Sequence, residues 1–284
     1  MSTDTQQTTT SDWIKVRRDA ETGIESVHAH FQGHAYDPHD HDELLVGVTY
    51  QGVQQFSCHR ATHTSTPGCA MLIEPGALHD GHAPEKDGFT YGMLYLPQPF
   101  VSGITERFGL GDSSSLQAAF QHTLSHDTQL INSIQQTFLA INNGEGRLAR
   151  DQCMDDLLGL LARHICQISP SSKRDGDDQM RRARDLLHVR MADDISMEEL
   201  ATYSGIDRFR LTRQFKKAFG QSPHAYLVRL RLRTARGLLA TGMAPSKVAA
   251  EVGFSDQSHM GVWFRRAYRL TPAAYQRLCT NLTD

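Results

Sequence analysis

The sequence has no C-x-x-C pair, and its five cysteines (Cys58, Cys69, Cys153, Cys166, Cys279) are odd in number and scattered. That pattern argues against a disulfide framework and against a thiolate zinc site, and predicts thiols that serve as small buried hydrophobes. No apolar run approaches the roughly 20 residues needed to cross a bilayer, so no membrane partner is expected. Residues 1–12 are mostly polar and lack the basic-then-apolar order of an export signal; a loose tail and a cytoplasmic protein are expected. Also missing are a paired-carboxylate motif, a nucleophile elbow and a phosphate-cradling glycine loop, which leaves little support for an enzyme.

What is present is asymmetry. A chain of 284 residues is long for one domain and comfortable for two. Its net charge of −3 conceals a division: residues 1–170 hold 9 Lys+Arg against 20 Asp+Glu, a net of −11, whereas residues 171–284 hold 20 against 12, a net of +8. The basic part suits a polyanion and the acidic part does not. Between them "SPSSKRDGDDQ", residues 169–179, offers nothing apolar to bury and reads as a linker.

Within the basic part twelve residues are written twice. "FKKAFGQSPHAY", ending at Tyr226, returns 49 residues later as "FRRAYRLTPAAY", ending at Tyr275. Upstream of the first copy, Ser196 and Glu199 fit a capping box for a short helix, Gly205 supplies a turn, and Asp207 can cap a longer helix. Leu211, Phe215, Ala218 and Phe219 make its apolar stripe, and Gly220 ends it. Upstream of the second copy, "APSKVAAEV", Gly253, and Met260, Phe264, Ala267 and Tyr268 repeat the plan. "PHAYLVRLRLRTARGLLATG" joins the copies as one long helix carrying Arg229, Arg233 and Arg236 on one side. Two helix-turn-helix units on a connecting helix are therefore expected.

These residues resemble the AraC/XylS family of bacterial transcription regulators over roughly Met180 to Leu278, through "ELATYSGID", "RFRLTRQFKKAFGQSPHAY", "RLRTARGLL", "VAAEVGFSDQSH" and "FRRAYRLTPAAY" in that order. The resemblance implies two recognition helices placed in successive major grooves on one face of double-stranded DNA, about 34 Å apart. In the first helix Phe209, Arg210, Thr212, Arg213, Lys216 and Lys217 lie off the apolar stripe; Arg210 and Arg213 suit guanine edges, Phe209 and Thr212 a thymine methyl, and the lysines phosphates. In the second helix Gly261 and Val262 stand where Thr212 and Arg213 stand in the first, leaving Gln257, Ser258 and His259 as base contacts and Arg265, Arg266 and Arg269 for phosphate. The expectation is that the first unit discriminates sequence and the second mainly anchors.

The acidic part reads as short β-rich runs, "ELLVGVTY", "VQQFSCH", "CAMLIEP" and "FTYGMLYLP", separated by turn residues. "YDPHDHDELLVGVTYQG" with "PGCAMLIEPGALHDG" resembles the small barrel called a cupin, which implies an effector-binding domain over 13–110. His39 and His41, two apart, would share a strand face, and His79 stands where a cupin would bring a third imidazole. With Glu43 they make a candidate effector-binding set, and the three histidines a candidate site for a divalent transition metal; a polar pocket without metal is the alternative, and no cofactor is required. Residues 111–168 read as helices that either pack on the barrel or form a dimer seam. The whole is thus expected to be α+β: a cupin-like barrel with following helices, then an all-α domain of two helix-turn-helix units over 180–284. The resemblance implies an effector-modulated transcription factor, an activator, acting as a homodimer with RNA polymerase as partner. A metal-dependent cupin enzyme tethered to DNA is the alternative, and a general DNA-compacting protein a weaker one.

Overall fold

The computed structural model describes residues 12–100, 102, 120, 122–165 and 175–280, without the side chains of 175–177 and 209. The expected N-terminal tail, apart from Asp12, lies outside the described residues, as does most of the start of the expected helical segment. Two compact units divide the chain: Met1–Tyr36 with Glu43–Cys166, and Asp37–Asp42 with Gln167–Asp284.

The first unit is built on two sheets. Strands β1 (Trp13–Arg18), β2 (Glu25–Phe31), β9 (Phe89–Leu96), β4 (Leu44–Gly52), β7 (Ala70–Ile73) and β10 (Leu124–Ser125) follow one another in a six-stranded sheet. Strands β3 (His34–His39), β8 (His79–His82), β5 (Gln54–Cys58) and β6 (Ala61–Ser65) form a four-stranded one. The central runs are apolar without alternation because both faces of the larger sheet are covered. Leu44, Val46 and Val48 of β4, Leu72 of β7 and Leu94 of β9 pack against Leu130, Ile134 and Phe138 of helix α1 (Thr128–Asn143) and Leu157 and Leu161 of α2 (Arg147–His164). The alternate residues Leu45, Met71, Ile73 and Met93 face the other way, with Phe31, Tyr36 and Phe56. A period of two thus serves two cores at once.

One expectation needs correction here. Helix was expected from about Ser113, but Leu124–Ser125 pair with Met71 and Ala70 of β7, and α1 opens only at Thr128. The Asp127 carboxylate fixes that start by accepting from the Gln129 and Leu130 N–H groups at 2.9 and 3.4 Å. The leucine surplus of α2 is spent on the sheet: Leu157, Leu158 and Leu161 are buried and Leu160 packs beside them. Cys58, Cys69 and Cys279 are buried free thiols and Cys153 is a half-buried one; Cys166 lies outside the described residues.

The second unit is helical: α3 (Asp175–Val189), α4 (Met197–Ser204), α5 (Arg208–Phe219), α6 (Pro223–Ala240), α7 (Pro245–Glu251), α8 (Gln257–Tyr268) and α9 (Pro272–Thr280). Helix α3 starts inside the stretch expected to be linker, whose first residues lie outside the described set. The written repeat becomes a structural one: α5 and α8 have the same length, and both their ends are shifted by 49 residues. Their caps shift with them. Asp207 accepts from the Arg210 N–H at 3.0 Å and Asp256 from the His259 N–H at 2.8 Å. The "SP" and "TP" of the repeat open α6 and α9, with Ser222 capping the Ala225 N–H and Thr271 the Ala274 N–H, each ahead of a proline at the first helical position. The expected capping box is present, Ser196 N–H donating to Glu199 at 2.9 Å and Glu199 N–H to Ser196 at 3.1 Å.

Each helix-turn-helix has its own core. Leu200, Leu211 and Phe215 meet Leu227 of α6 in one, and Val248, Met260 and Phe264 meet Val228, Leu232 and Leu239 of α6 in the other. The same helix is therefore a wall of both cores, which makes it a spar rather than a tether. The stripe differs from expectation at one place: Ala218 is exposed, while its counterpart Ala267 is buried. The arginines of α6 are inward groups. Arg229 reaches Asp40 at 3.1 Å, Arg233 reaches Asp42 at 2.8 Å, and Arg236 lies over the rings of Tyr268 and Tyr275 at 5.8 and 5.4 Å. Burial lowers the Arg229 pKa from its ordinary value, but a guanidinium stays charged, which is why each sits beside a carboxylate or an aromatic face.

Candidate nucleic-acid interface and imidazole cluster

The buried residues of α5, Leu211 and Phe215, leave the opposite face to solvent. Arg208, Arg210, Thr212, Arg213, Lys216 and Lys217 are all exposed there. Arg210 stands 3.7 Å from the capping Asp207, and the Thr212 hydroxyl donates back to the Arg208 carbonyl at 3.3 Å. The side chain of Phe209 lies outside the described residues. No metal or catalytic arrangement occupies this face among the described residues; its chemistry is that of five cationic side chains on a rigid, capped rod.

Helix α8 presents the matching face with different content. Gln257, Ser258, His259, Arg265, Arg266 and Arg269 are exposed, and so is Val262. His259 is more committed than its position suggests. Its Nε2 accepts from the Trp263 indole N–H at 3.1 Å, and its Nδ1 lies 3.1 Å from the Ser255 hydroxyl. Because indole can only donate, the ring proton belongs on Nδ1 and both nitrogens are engaged inside the unit. Arg266 stacks over Trp263 at 5.4 Å and bonds Asp37 at 2.9 Å. Arg269 holds the left-handed conformation, φ 60°, at the position where the first copy has Gly220 at φ 77°.

The four expected effector residues divide between the units, His39 and His41 falling in Asp37–Asp42 and Glu43 and His79 in Glu43–Cys166. His39, His41 and His79 are each buried. Strands β3 and β8, which carry His39 and His79, are neighbours in the four-stranded sheet. The Nδ1 of His39 lies 2.8 Å from the Asp37 carbonyl and that of His79 lies 3.0 Å from the Ala77 carbonyl. A carbonyl can only accept, so both rings carry their proton on Nδ1 and keep the Nε2 lone pair as the ligand atom. Glu43 is half-buried.

Sequence reading missed two further polar groups. Gln54 donates to the Tyr36 hydroxyl at 2.9 Å with both residues buried, and burial pushes the Tyr36 and Tyr91 phenols up. The signal was available in the alternation of "QQFSC", where Gln54, Phe56 and Cys58 all turn inward. A cavity of about 520 Å³ is lined by His59, His63, Glu74 and His122, with Phe120 and Leu124. His59 and Glu74 meet at 2.7 Å, and the Glu74 carboxylate, 4% exposed, also accepts from the Phe120 N–H at 3.1 Å. Nothing local in the sequence joins residues so far apart.

A sheet domain with a polar buried interior, ahead of two capped helix-turn-helix units sharing one helix, defines a ligand-responsive DNA-binding regulator. Comparison with known proteins agrees: the AraC-like ligand binding domain matches residues 21–158 and a helix-turn-helix domain matches residues 200–278. The chain belongs to the AraC/XylS family of transcription regulators and carries the family's N-terminal ligand-binding domain. It is 28% identical over 224 residues to the HTH-type transcriptional regulator YbfI of Bacillus subtilis, covering 78% of this chain and 80% of the relative. To the HTH-type transcriptional activator RhaS of Enterobacter sp. it is 27% identical over 251 residues, covering 84% and 86%. The crystal structure of ToxT from Vibrio cholerae shares the fold at 12% identity, TM-score 0.56, over 96% of this chain and 99% of that one. ToxT with unsaturated fatty acid bound aligns with TM-score 0.58 at 13% identity, over 97% and 98%. The relatives are regulators, and the enzyme alternative finds no support among them. Among the described residues no helix is long and apolar enough to cross a membrane.

Proposed function

We propose that α5 and α8 are the two recognition helices of an effector-controlled regulator and enter successive major grooves of one duplex. The observation that carries this is the shared 49-residue shift of both helix bounds, caps and buried residues, joined to an exposed basic face on each helix. Arg210 and Arg213 supply bidentate donors for guanine, with Thr212 and Phe209 beside them; Lys216, Lys217, Arg265, Arg266 and Arg269 supply phosphate contacts, and Gln257 and Ser258 hydrogen bonds to base edges. His259 orders the start of α8 through Ser255 and Trp263 rather than reading a base itself.

The effector is a small organic molecule held in the sheet domain, a reading supported by the fatty acid bound in ToxT and by the buried Tyr36, Gln54 and His39 groups here. Occupancy changes transcription if the ligand favours one arrangement of the protein over another. The three imidazoles fit a divalent transition metal, because two are already turned by backbone carbonyls to offer Nε2 and all three are buried. His39, His41 and His79 would be its ligands, and the ion would give the chamber a Lewis-acidic centre for an oxygen-bearing effector. Metal content measured on the purified protein and on His41→Ala tests this; equal, substoichiometric content in both removes the metal. A cytoplasmic homodimer contacting RNA polymerase completes the reading, in line with the family and with exposed Leu139 and Leu148 on α1 and α2. Its role as an activator follows RhaS by analogy. The decisive experiment is selection of bound duplexes from random DNA with and without candidate metabolites. A defined sequence whose recovery changes with one metabolite is expected; equal binding of all sequences at fixed salt would reduce the protein to nonspecific binding.

A further inference from the structure

The second recognition helix contains two residues that the fold does not explain. Gly261 lies mid-helix, where glycine is destabilising relative to alanine, yet a Cβ built on it would meet no atom within 4 Å. Nothing inside the protein excludes a side chain there. Beside it Val262 is 58% exposed, one of few large apolar side chains so placed among the described residues. At about 100° per residue, Val262 stands two positions from each of the buried Met260 and Phe264, roughly 160° around the helix from both. It is therefore at the middle of the outward face, the place Arg213 takes on α5.

The surroundings say what this face fits. Gly261 lies one turn from Gln257 and one turn from Arg265, so its missing side chain opens a notch between them. A groove of about 470 Å³ runs over it, lined by Ser258, Val262, Arg265, Arg266 and Arg269 among others. An isopropyl group and a bare stretch of helix, framed by three arginines, match a surface that is anionic at its rims and carries an apolar knob at its centre. The major groove of B-DNA has that profile where a thymine 5-methyl projects between the phosphate strands.

We propose that Gly261 and Val262 form a thymine-methyl reader: the glycine lets the α8 backbone approach the base edges, and the valine methyls bury the 5-methyl group. This deepens the DNA-binding reading of α8 and rests on it. It also revises the expected division of labour, since the second unit then selects sequence by apolar contact while the first selects by hydrogen bonds. The operator would be asymmetric, guanine-bearing under α5 and thymine-bearing under α8.

The test begins with duplexes selected from random sequence by the full wild-type chain. Each thymine of the selected duplex is then replaced singly by deoxyuridine, which deletes only the 5-methyl, and affinity is measured for wild type, Val262→Ala and Gly261→Ala. Wild type should lose about three- to tenfold at one thymine, the scale of one good apolar contact to a base. Val262→Ala should show the same loss on the thymine duplex and no further loss with deoxyuridine at that position. Gly261→Ala should bind the selected duplex about tenfold more weakly, with binding to unselected DNA unchanged, while its thermal unfolding midpoint rises; this crossed sign separates a reading role from a structural one. Deoxyuridine tolerated at every position within twofold, additive effects of Val262→Ala and deoxyuridine, or undiminished affinity of Gly261→Ala would each overturn the assignment. If wild type selects no sequence at all, the recognition-helix reading beneath it fails as well, which the first step shows before any variant is made.

Discussion

At the scale of single residues, function rests on which polar groups are spent inside the fold and which are left for a ligand. Arg229 and Arg236 look on paper like Arg210 and Arg213, yet the first two are buried against Asp40 and tyrosine rings while the others face solvent. Removing an outward guanidinium should leave stability intact and change binding. Arg213→Ala is expected to lose about 1–3 kcal/mol on the preferred duplex and to relax preference at one base pair, whereas Arg265→Ala should weaken all sequences alike and lower the salt slope by about one. Titration of both variants against matched and mutated duplexes checks this; a uniform loss for Arg213→Ala would make it a phosphate contact. A second residue-scale effect concerns His59, whose pKa is raised to about 10 by hydrogen bonds to Cys58 and to the Glu74 carboxylate. A histidine whose folded pKa lies above its unfolded value of about 6.5 contributes stability fully below that value and loses it as pH rises toward 10. The unfolding midpoint of the wild type should therefore fall from pH 6.5 to 10 more steeply than that of Glu74→Gln, and parallel curves would show that the pair contributes nothing.

Among the secondary-structure elements, the helical unit was legible because its signals are local and repeated. Caps at Asp207, Ser222 and Ser196, turns at Gly205 and Gly253 and the Leu211–Phe215 stripe all lie within a few residues of what they organise. Gly253 shows how tight that logic is: with φ 82°, a Cβ there would come within 2.3 Å of the Ala192 carbonyl oxygen. The sheet unit was legible as β-rich, but its two-sided burial, the short strand at Leu124 and the Tyr36–Gln54 pair depend on partners on other strands, 18 residues away for the pair and further for Leu124 with Met71. Of the effector set, the strand period accounts for His39 alone: β3 ends there, and His41 and Glu43 lie on the connection before β4 opens at Leu44. Where the repeat is broken the structure keeps the geometry, as Arg269 adopts the left-handed cap that glycine serves in the first copy. That conformation costs a side-chain-bearing residue about 1 kcal/mol, so Arg269→Gly should raise the unfolding midpoint of the helical unit and weaken binding to DNA of any sequence. A lower midpoint would show that the arginine holds the fold rather than the phosphate.

For the molecule as a whole, the central claim is that one helix, α6, walls two cores and so fixes two reading helices at a set separation. Charge asymmetry fits the same division: the basic part carries the helix-turn-helix units and the acidic part the ligand-binding domain. Control by an effector then needs no change inside either helix-turn-helix, only a change in how often the pair is presented to DNA. The direct measurement is base-resolution protection of the selected operator by the wild-type chain, with methylation interference at guanine N7 to report major-groove contact. Two protected major-groove segments centred about 10–10.5 base pairs apart on one face, both lost together when α6 is interrupted by Leu232→Pro, are the expected result. A single protected segment, or two whose spacing varies between bound molecules, would contradict the rigid two-helix grip.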